Sequence, residues 1–457
     1  MTHVDLRDKD LLCLVDGEHY PPVIEWCLDH LRDRGASVKA LVFLGGSEKV
    51  GNAAEELKGE YLVILGGGSF ERTLAIIGES VDRTHPDMVV DLSDEPVLTY
   101  RDRFRIASVV LRRGVPYMGA DFMLWPPEAK DLLDRPSLSI IGTGKRVGKT
   151  AVSTTVARIL DSAGHTPVIV AMGRGGPPDP VVLLPQDLDV SPSHLIDVSL
   201  QGVHAASDYW EDAVLARVPT IGCRRCGGGM AGSPFLSNVE EGVERTRDLP
   251  SDLVIMEGSG STLPPVRTDL NLLVVGAGQP LEYITGYLGE YRVLLSDMAI
   301  VTMCEEPVAD RGKVGSILEG LRDLRPDMEV ALTVFRPQPL EDVSGRRVFV
   351  ATTAPAEVGP RIRDHLEGQG CEVVGMSHHL SHRGALRDDL KQGLARADTL
   401  LTEIKASSIE VAATEATRAG AGVVFMHNQP VLVGGTVDDL EEAIVTLWER
   451  ANRWEEG

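Results

Sequence analysis

A short apolar run, a glycine-rich loop and a helical pattern follow one another directly between residues 138 and 162. Residues 138–155 read SLSIIGTGKRVGKTAVST. Glycines in such a loop let successive backbone N–H groups turn toward phosphate oxygens, and the N-terminus of the following helix adds positive potential. Strand, loop and helix in this order predict a phosphate-binding loop at the edge of a mainly parallel α/β sheet.

The side chains of this loop predict nucleotide and metal binding. We expect Lys149 to reach the β- and γ-phosphate oxygens and Thr150 to offer its hydroxyl to Mg²⁺. Thr143 departs from the usual pattern, because it stands where such loops carry their first glycine. The predicted nucleotide-binding residues are Gly142, Thr143, Gly144, Lys145, Arg146, Val147, Gly148, Lys149 and Thr150.

A second apolar run, LVIME at 253–257, ends in Glu257. Because the carboxyl ends of parallel strands meet at one edge of a sheet, this carboxylate is expected beside the first loop. Phosphate-bound Mg²⁺ needs an anionic anchor, held directly or through water. Thr150 and Glu257 are therefore the predicted metal ligands, and the alternative for Glu257 is a solvated acid at a strand end.

Several basic residues lie in loops that follow predicted strands. Arg174 lies in MGRGGPPDP, Arg224 and Arg225 lie in GCRRCGGGMAG, and Lys405 lies in LLTEIKAS. Arginine can hold a phosphate through paired hydrogen bonds, so this set is predicted to bind a second, polyanionic substrate; mobile surface arginines are the alternative. Charge on a transferred phosphoryl group needs nearby cations. The predicted catalytic residues are Lys145, Arg146, Lys149 and Arg174.

Short β-rich runs alternate with helical patterns along almost the whole chain, which is typical of α/β layering. The pattern predicts an N-terminal Rossmann-like domain at 1–125, a proline-rich linker at 126–136 and a larger P-loop NTPase domain with a mainly parallel sheet at 137–457. Residues 348–457 form either a C-terminal subdomain or the far half of the same sheet.

Composition disfavours several functional classes. The chain has 45 Lys+Arg and 68 Asp+Glu residues, a formal charge of −23, which repels nucleic acids and anionic membranes. No apolar run approaches the ~20 residues of a membrane span. Sparse cysteines and a charged start without a signal-peptide pattern predict a cytoplasmic protein. The pair Cys223 and Cys226 lacks the second pair of a structural zinc site.

Two sets of motifs resemble known families. GTGKRVGKT at 142–150 and MEGSG at 256–260 are similar to the dethiobiotin synthetase group of P-loop enzymes. A larger set, spread over nearly the whole chain, resembles the cyclic 2,3-diphosphoglycerate synthetase family. This set consists of VDGEHYPPV, LGGGSFERT, GTGKRVGKTAV, AMGRGGPPDP, GCRRCGGGMAG, MEGSGS, TMCEEP and TEIKA.

The second resemblance implies a specific reaction. Members of that family join the two phosphates of 2,3-diphosphoglycerate into a cyclic anhydride, using ATP with Mg²⁺ and releasing ADP and phosphate. It implies an ATP-dependent ligase whose partners are these two small molecules. The cationic residues predicted above suit a substrate with several negative charges.

Three alternatives share parts of these features. Another P-loop kinase or ligase would use the same nucleotide site but form no cyclic product. A regulatory P-loop ATPase would need little substrate-binding machinery, and a non-catalytic phosphometabolite-binding protein would not need Lys149 together with Glu257. Residues 1–125 are predicted to close over the phosphate site and exclude water, either within one subunit or across a homodimer.

Overall fold

The computed structural model describes residues 4–45, 57, 60–188, 194, 207–405 and 407–452. The chain divides into two compact units. Unit 1 comprises Met1–Glu128 and Pro280–Leu295, and unit 2 comprises Ala129–Gln279 and Ser296–Gly457.

The part of unit 1 that the structure describes is built around a six-stranded sheet. Its strands are β1 (Asp10–Val15), β2 (Ser37–Phe43), β3 (Leu62–Leu65), β4 (Met88–Asp91), β5 (Tyr117–Met118) and β6 (Met123–Leu124). The spatial order is β3-β2-β1-β4-β5-β6, and only β5 and β6 pair antiparallel. β2 and β3 lie on one side of β1, and β4 and β5 lie on its other side. The order in which strands are added therefore reverses between β1 and β4, which confirms the predicted Rossmann-like fold.

Among the described residues of unit 1, three helices follow strands, namely α1 (Pro21–Asp33), α2 (Phe70–Thr84) and α3 (Tyr100–Arg112). In α1 the buried residues Ile24, Leu28 and Leu31 recur at helical spacing and pack on the sheet. The chain then turns at Gly35, whose φ of 84° is the left-handed conformation that glycine adopts without strain.

Unit 2 is built around a 13-stranded sheet in its described residues. Its strands are β7 (Ser137–Gly142), β8 (Pro167–Gly173), β9 (Val181–Leu183), β10 (Thr220–Cys226), β11 (Leu236–Ser237), β12 (Leu253–Glu257), β13 (Leu270–Gly276), β14 (Met298–Thr302), β15 (Glu329–Pro339), β16 (Arg347–Ala351), β17 (Glu372–Ser377), β18 (Thr399–Glu403) and β19 (Gly422–Gly435). The order is β11-β10-β8-β12-β7-β13-β14-β15-β19-β18-β16-β17, with β9 beside β10. The strand that enters the glycine-rich loop, β7, thus lies between β12 and β13.

The C-terminal part of the chain continues this sheet. β15 and β19 pair antiparallel from Ala331 opposite Gly435 to Pro339 opposite Met426, and β18, β16 and β17 follow in parallel. The strands after residue 347 therefore form the far half of the same sheet, which is one of the two arrangements that the sequence left open.

In the described residues after 129, the α-helices are α4 (Lys149–Ser162), α5 (Asp208–Ala216), α6 (Val239–Thr246), α7 (Leu281–Thr285), α8 (Gly289–Leu295), α9 (Arg311–Leu324), α10 (Gly359–Glu367), α11 (Arg383–Gly393), α12 (Thr414–Arg418) and α13 (Leu440–Asn452). α4 buries Val152, Val156 and Leu160 in one core with Leu138 and Ile140 of β7. This packing anchors the helix that leaves the glycine-rich loop. Among the described helices, none has the length and apolar character needed to span a bilayer.

Helices α7 and α8 belong to unit 1, although they lie between β13 and β14 in the sequence. α8 packs against α3, and Arg105 Nε donates to Glu290 Oε2 at 3.1 Å. Burial raises the pKa of Glu290 to about 7. The rings of Phe104 and Tyr287 meet edge to face. Unit 1 is therefore built from two separate stretches of the sequence, and the second stretch, Pro280–Leu295, interrupts unit 2.

Candidate active site

The glycine-rich loop between β7 and α4 leaves room for its own lysine. Gly148 has a φ of 87°, and a Cβ there would lie 2.4 Å from the Phe335 ring. A Cβ at Gly142 would lie 2.8 Å from Cδ of Lys149. Larger residues at these two positions would strain the backbone or displace the neighbouring side chain, so the loop geometry depends on glycine.

Lys149 is the first residue of α4, and its side chain folds back over the loop. Its Nζ donates to the Gly144 carbonyl oxygen at 2.8 Å. Burial lowers the pKa of Lys149 to about 8, against the attraction of Glu257 and Asp208. An ammonium group has three protons, so this lysine can still donate to a bound anion.

Thr143, the departure from the usual loop pattern, is buried and turned toward β13. Its hydroxyl lies 3.4 Å from the Val274 carbonyl oxygen and contacts the Gln279 side chain. The Gln279 side-chain NH₂ in turn lies 3.5 Å from the Thr143 carbonyl oxygen. The threonine is accommodated because the loop after β13 supplies its polar partners.

Two buried carboxyl groups face the start of α4. Thr150 Oγ1 donates to Glu257 Oε1 at 3.0 Å. Glu257 Oε2 and both oxygens of Asp212 accept no hydrogen bond from any described residue. Burial raises the pKa of Glu257 to about 7, and burial beside Glu257 raises the pKa of Asp212 well above its usual range. A shared proton or a cation would relieve the repulsion between the two carboxyls.

These residues fit a divalent cation. Mg²⁺ prefers hydroxyl and carboxylate oxygens and keeps several waters or phosphate oxygens as its other ligands. Thr150 and Glu257 offer such oxygens, and Asp212 adds a carboxylate whose oxygens have no donor among the described residues. The described residues contain no group of three His, Cys, Asp or Glu side chains that would hold a metal by themselves, so phosphates and water would complete the set.

A cavity of about 810 Å³ opens in front of the loop. Its walls include Lys145, Arg146 and Lys149 from the loop, together with residues that follow the strands of the far half-sheet. The latter residues are Thr353, Ala354 and Pro355 after β16, Leu380 and Ser381 after β17, and Lys405 and Ser407 after β18. The two halves of the sheet therefore contribute to one site.

The three arginines that were predicted to bind the second substrate lie in different surroundings. Arg174 is exposed and lines the cavity. Arg225 is buried, and its guanidinium donates to the Ser259 carbonyl oxygen at 2.9 Å and the Gly227 carbonyl oxygen at 2.8 Å. Arg224 is exposed, donates to the Gly176 carbonyl oxygen at 2.7 Å and is not part of the cavity wall. Neighbouring residues of a strand point to opposite faces, so Arg224 and Arg225 do not act together, and Arg225 does not line the cavity either.

Lys405 lines the cavity but is already paired. Its Nζ donates to both carboxylate oxygens of Glu211, at 2.7 and 2.9 Å. Burial alone would lower the pKa of Lys405, but the carboxylates of Glu211 and Glu403 outweigh burial and raise it. This lysine stays charged, and it would have to share its protons between Glu211 and a bound phosphate.

Sequence reasoning missed an acidic face of α5. Asp208, Glu211 and Asp212 stand at helical spacing i, i+3 and i+4. Asp208 and Glu211 line the cavity, and Asp212 lies against Glu257. Three acids on one face of an otherwise apolar helix were the available signal, but nothing local to that helix indicates that it lies beside Lys149.

Glu403 was missed as well. It is buried at the end of β18 and accepts from the Thr352 hydroxyl at 2.6 Å and the Thr353 backbone N–H at 2.8 Å. This carboxylate fixes the loop after β16 against the cavity. Cys223 is buried while Cys226 is exposed, so the pair does not converge on one point.

Comparison with known proteins assigns the family. Three family models match: the N-terminal domain of cyclic 2,3-diphosphoglycerate synthetase over residues 10–125, its P-loop domain over 137–334 and its C-terminal domain over 339–429.

Curated relatives match along nearly their whole length. The chain is 45% identical to cyclic 2,3-diphosphoglycerate synthetase of Methanothermobacter thermautotrophicus, over 97% of both chains. It is 44% identical to that of Methanothermus fervidus, over 97% of both, and 46% identical to that of Rubrobacter xylanophilus, over 98% of both. The chain therefore belongs to the cyclic 2,3-diphosphoglycerate synthetase family.

Proposed function

We propose that this protein closes 2,3-diphosphoglycerate into its cyclic anhydride at the expense of ATP, as an ATP-dependent ligase. The observation that carries the proposal is that a P-loop and a set of cations line one cavity, in a chain that matches cyclic 2,3-diphosphoglycerate synthetases along nearly its whole length. The chain's charge of −23 would oppose a polyanionic substrate, so local cations are required.

Sheet order supports a division of the cavity into two parts. On the β13 side of the loop, Met303 follows β14, and Phe335 and Pro337 lie in β15. This apolar side suits the nucleobase of ATP. On the β12 side, Arg174 follows β8 and lines the cavity, together with Lys145 and Arg146 of the loop. This cationic side suits the phosphates of diphosphoglycerate.

In the first step, a phosphate oxygen of diphosphoglycerate attacks the γ-phosphorus of ATP. The bond between the γ-phosphorus and its bridging oxygen breaks, ADP leaves, and a mixed anhydride forms on the substrate. Lys149 donates to the phosphate oxygens as their charge develops, and Lys145 and Arg146 add positive charge at the loop. Phosphate dianions are already nucleophilic, so the step needs no general base.

In the second step, the neighbouring phosphate of the same molecule attacks the activated phosphorus. The new anhydride bond closes the ring, and inorganic phosphate leaves with the electron pair of the broken bond. Holding both phosphates in register makes this step intramolecular, which can contribute up to ~7–11 kcal/mol. Arg174, which lines the cavity, would hold the phosphates, and Arg225 donates to the carbonyl oxygen of Ser259, a residue that also lines the cavity.

Thr150 and Glu257 would hold Mg²⁺, with Asp212 adjacent. The ion would neutralise charge on the β- and γ-phosphates and orient them. The protein's own part is to keep Glu257 Oε2 and both Asp212 oxygens buried without a donor from the described residues.

Phosphorus-31 NMR tests the reaction directly. Purified protein with ATP, Mg²⁺ and 2,3-diphosphoglycerate should give a new anhydride resonance while both phosphomonoester signals decline together. Parallel samples with 2-phosphoglycerate or 3-phosphoglycerate lack the second phosphate and should give no such resonance. ADP formation without an anhydride signal would reject cyclisation in favour of another P-loop kinase or an ATPase.

A further inference from the structure

A second cavity lies wholly within unit 1, and the proposed reaction does not use it. It has a volume of about 750 Å³ and is lined by residues that follow β1 and β4. These neighbouring strands mark the point at which the order β3-β2-β1-β4-β5 reverses direction. Open α/β sheets bind ligands in the crevice outside such a point.

The polar end of this cavity is organised by Asp16, whose side chain is fully buried. Its Oδ1 accepts the His19 Nδ1–H at 2.6 Å, and its Oδ2 accepts the Asp94 backbone N–H at 2.7 Å. Burial would raise the pKa of Asp16, but these donors outweigh it and hold the pKa below its usual range. Asp16 thus joins the loops after β1 and β4 and keeps the ring proton on Nδ1.

The orientation of His19 leaves two acceptors side by side. His19 Nε2 lies 3.5 Å from Asp94 Oδ2, and both residues line the cavity. In the neutral imidazole with its proton on Nδ1, neither atom can donate to the other. A ligand with two adjacent hydroxyl groups would donate one proton to each, so the pair matches a vicinal diol.

The other walls are apolar and aromatic. Trp26 and Tyr100 line the cavity and are 63% and 74% exposed, and Val23 and Phe122 lie beside them. Large exposed aromatic side chains around a crevice favour a flat ring system, because stacking removes both surfaces from water.

The charges of the cavity disfavour phosphate groups. Its guanidinium, on Arg103, is occupied by Asp91 Oδ2 at 3.0 Å and the Ser93 carbonyl oxygen at 2.9 Å. Glu95 and Asp121 add carboxylates to that of Asp94. The loop after β1 reads DGEH and lacks the glycine pattern that cradles a pyrophosphate.

We propose that this cavity binds an unphosphorylated nucleoside, with the ribose hydroxyls donating to His19 and Asp94 and the base lying against Trp26 and Tyr100. The ligand combines a flat heterocycle with a vicinal diol and carries no negative charge, which are the three properties that the cavity selects. The proposal does not depend on the cyclisation reaction.

Titration calorimetry of the full-length protein tests it, with excess ADP and Mg²⁺ present to fill the P-loop site. Adenosine, guanosine, cytidine and uridine are titrated in turn, and at least one should bind with a stoichiometry of about one per chain. The 2′-deoxy form of that nucleoside should bind about tenfold more weakly, the value of one hydrogen bond to a charged group. Its 5′-monophosphate should also bind more weakly, because of the carboxylates.

Two variants locate the site. Asp94→Asn should weaken nucleoside binding about tenfold by replacing the charged acceptor while keeping its shape. Glu25→Gln is the matched control, since Glu25 is an exposed acid on α1 that does not line the cavity. It should leave binding unchanged.

Three results of the nucleoside titrations would overturn the proposal. They are the absence of nucleoside binding when ADP is present, equal binding of the 2′-deoxy form, and equal weakening by Asp94→Asn and Glu25→Gln. Binding of a diamine such as putrescine in preference to every nucleoside would show that the carboxylates select an organic cation instead, and it would also reject the proposal.

Discussion

The loop after β7 and the loop after β1 each follow the first strand of a mainly parallel sheet, yet they differ in chemistry. The first places Lys149 and the N-terminus of α4 around a space for phosphate. The second is held by the buried carboxylate of Asp16, which takes up the local N–H donors itself. A shared sheet topology thus fixes where a ligand can bind, while a few loop residues decide the charge of the ligand that fits there.

Removing unit 1, which carries the β1 loop, from the unit that carries the β7 loop should give the largest effect on activity. A protein that begins at Pro136, with residues 281–294 replaced by a glycine–serine linker, should bind ATP and hydrolyse it slowly but form no cyclic product. The linker is needed because α8 packs against α3 of unit 1. A P-loop domain alone leaves an activated phosphate open to water.

Product formation by this truncated protein is measured by phosphorus-31 NMR, after circular dichroism has established that it is folded. Cyclisation at the wild-type rate would reject the prediction that residues 1–125 exclude water from the reaction. That prediction allows closure within one subunit or across a homodimer.

Lys149→Ala removes the charge that distinguishes the β7 loop. We expect ATP turnover to fall by about 10²–10³-fold, because the lysine stabilises charge that develops on the transferred phosphoryl group. Phosphate release is measured with saturating substrates, and thermal unfolding checks that the fold persists. Turnover close to wild type would mean that this loop is not the catalytic nucleotide site.

Glu257→Gln separates metal binding from stability. Glutamine keeps an acceptor for Thr150 but removes the charge, so half-saturation should require about 10–100-fold more Mg²⁺. The same change ends the repulsion with Asp212, so the melting temperature should rise by a few degrees. Magnesium titrations of activity and differential scanning calorimetry measure the two effects. An unchanged magnesium curve would return Glu257 to the role of a buried structural acid.

Arg174→Lys tests the cationic side of the cavity. Lysine keeps the charge but loses the planar fork, so the KM for diphosphoglycerate should rise about tenfold with little change in the KM for ATP. Arg224→Lys is the matched control, because Arg224 is outside the cavity wall, and it should alter neither constant. Equal effects of Arg174→Lys on both substrates would assign Arg174 to the nucleotide.

Glu290→Gln should give the smallest effect, on the pH dependence of stability. The pKa of Glu290 is about 7 in the folded protein, above its usual value of 4.5, because of burial. The folded state therefore binds the proton of Glu290 more tightly than the unfolded state does. The free energy of unfolding gained from this proton is present at low pH and is lost as pH rises toward 7. The variant should show a smaller decrease in melting temperature between pH 5 and pH 7.5 than wild type, by scanning calorimetry. Identical slopes would contradict the burial argument.

Local patterns predicted much of the fold and part of the candidate site. The strand, loop and helix at 138–162, the carboxylate that ends β12 and the Rossmann-like start are all encoded within short windows, because hydrophobic periodicity and glycine placement act over a few residues. The accommodation of Thr143 was not predictable in this way, since its partner Gln279 lies beyond the end of β13.

The amino-acid sequence by itself determined the α/β layering, the phosphate-binding loop and the family. Only the tertiary structure decided that β15 pairs with β19, that Asp212 faces Glu257 and that Lys405 binds Glu211. It also decided that Arg224 is exposed while Arg225 is buried on β10, and that residues 280–295 pack in unit 1. These features depend on strand register and on contacts between distant segments, for which no single stretch of sequence carries a signal.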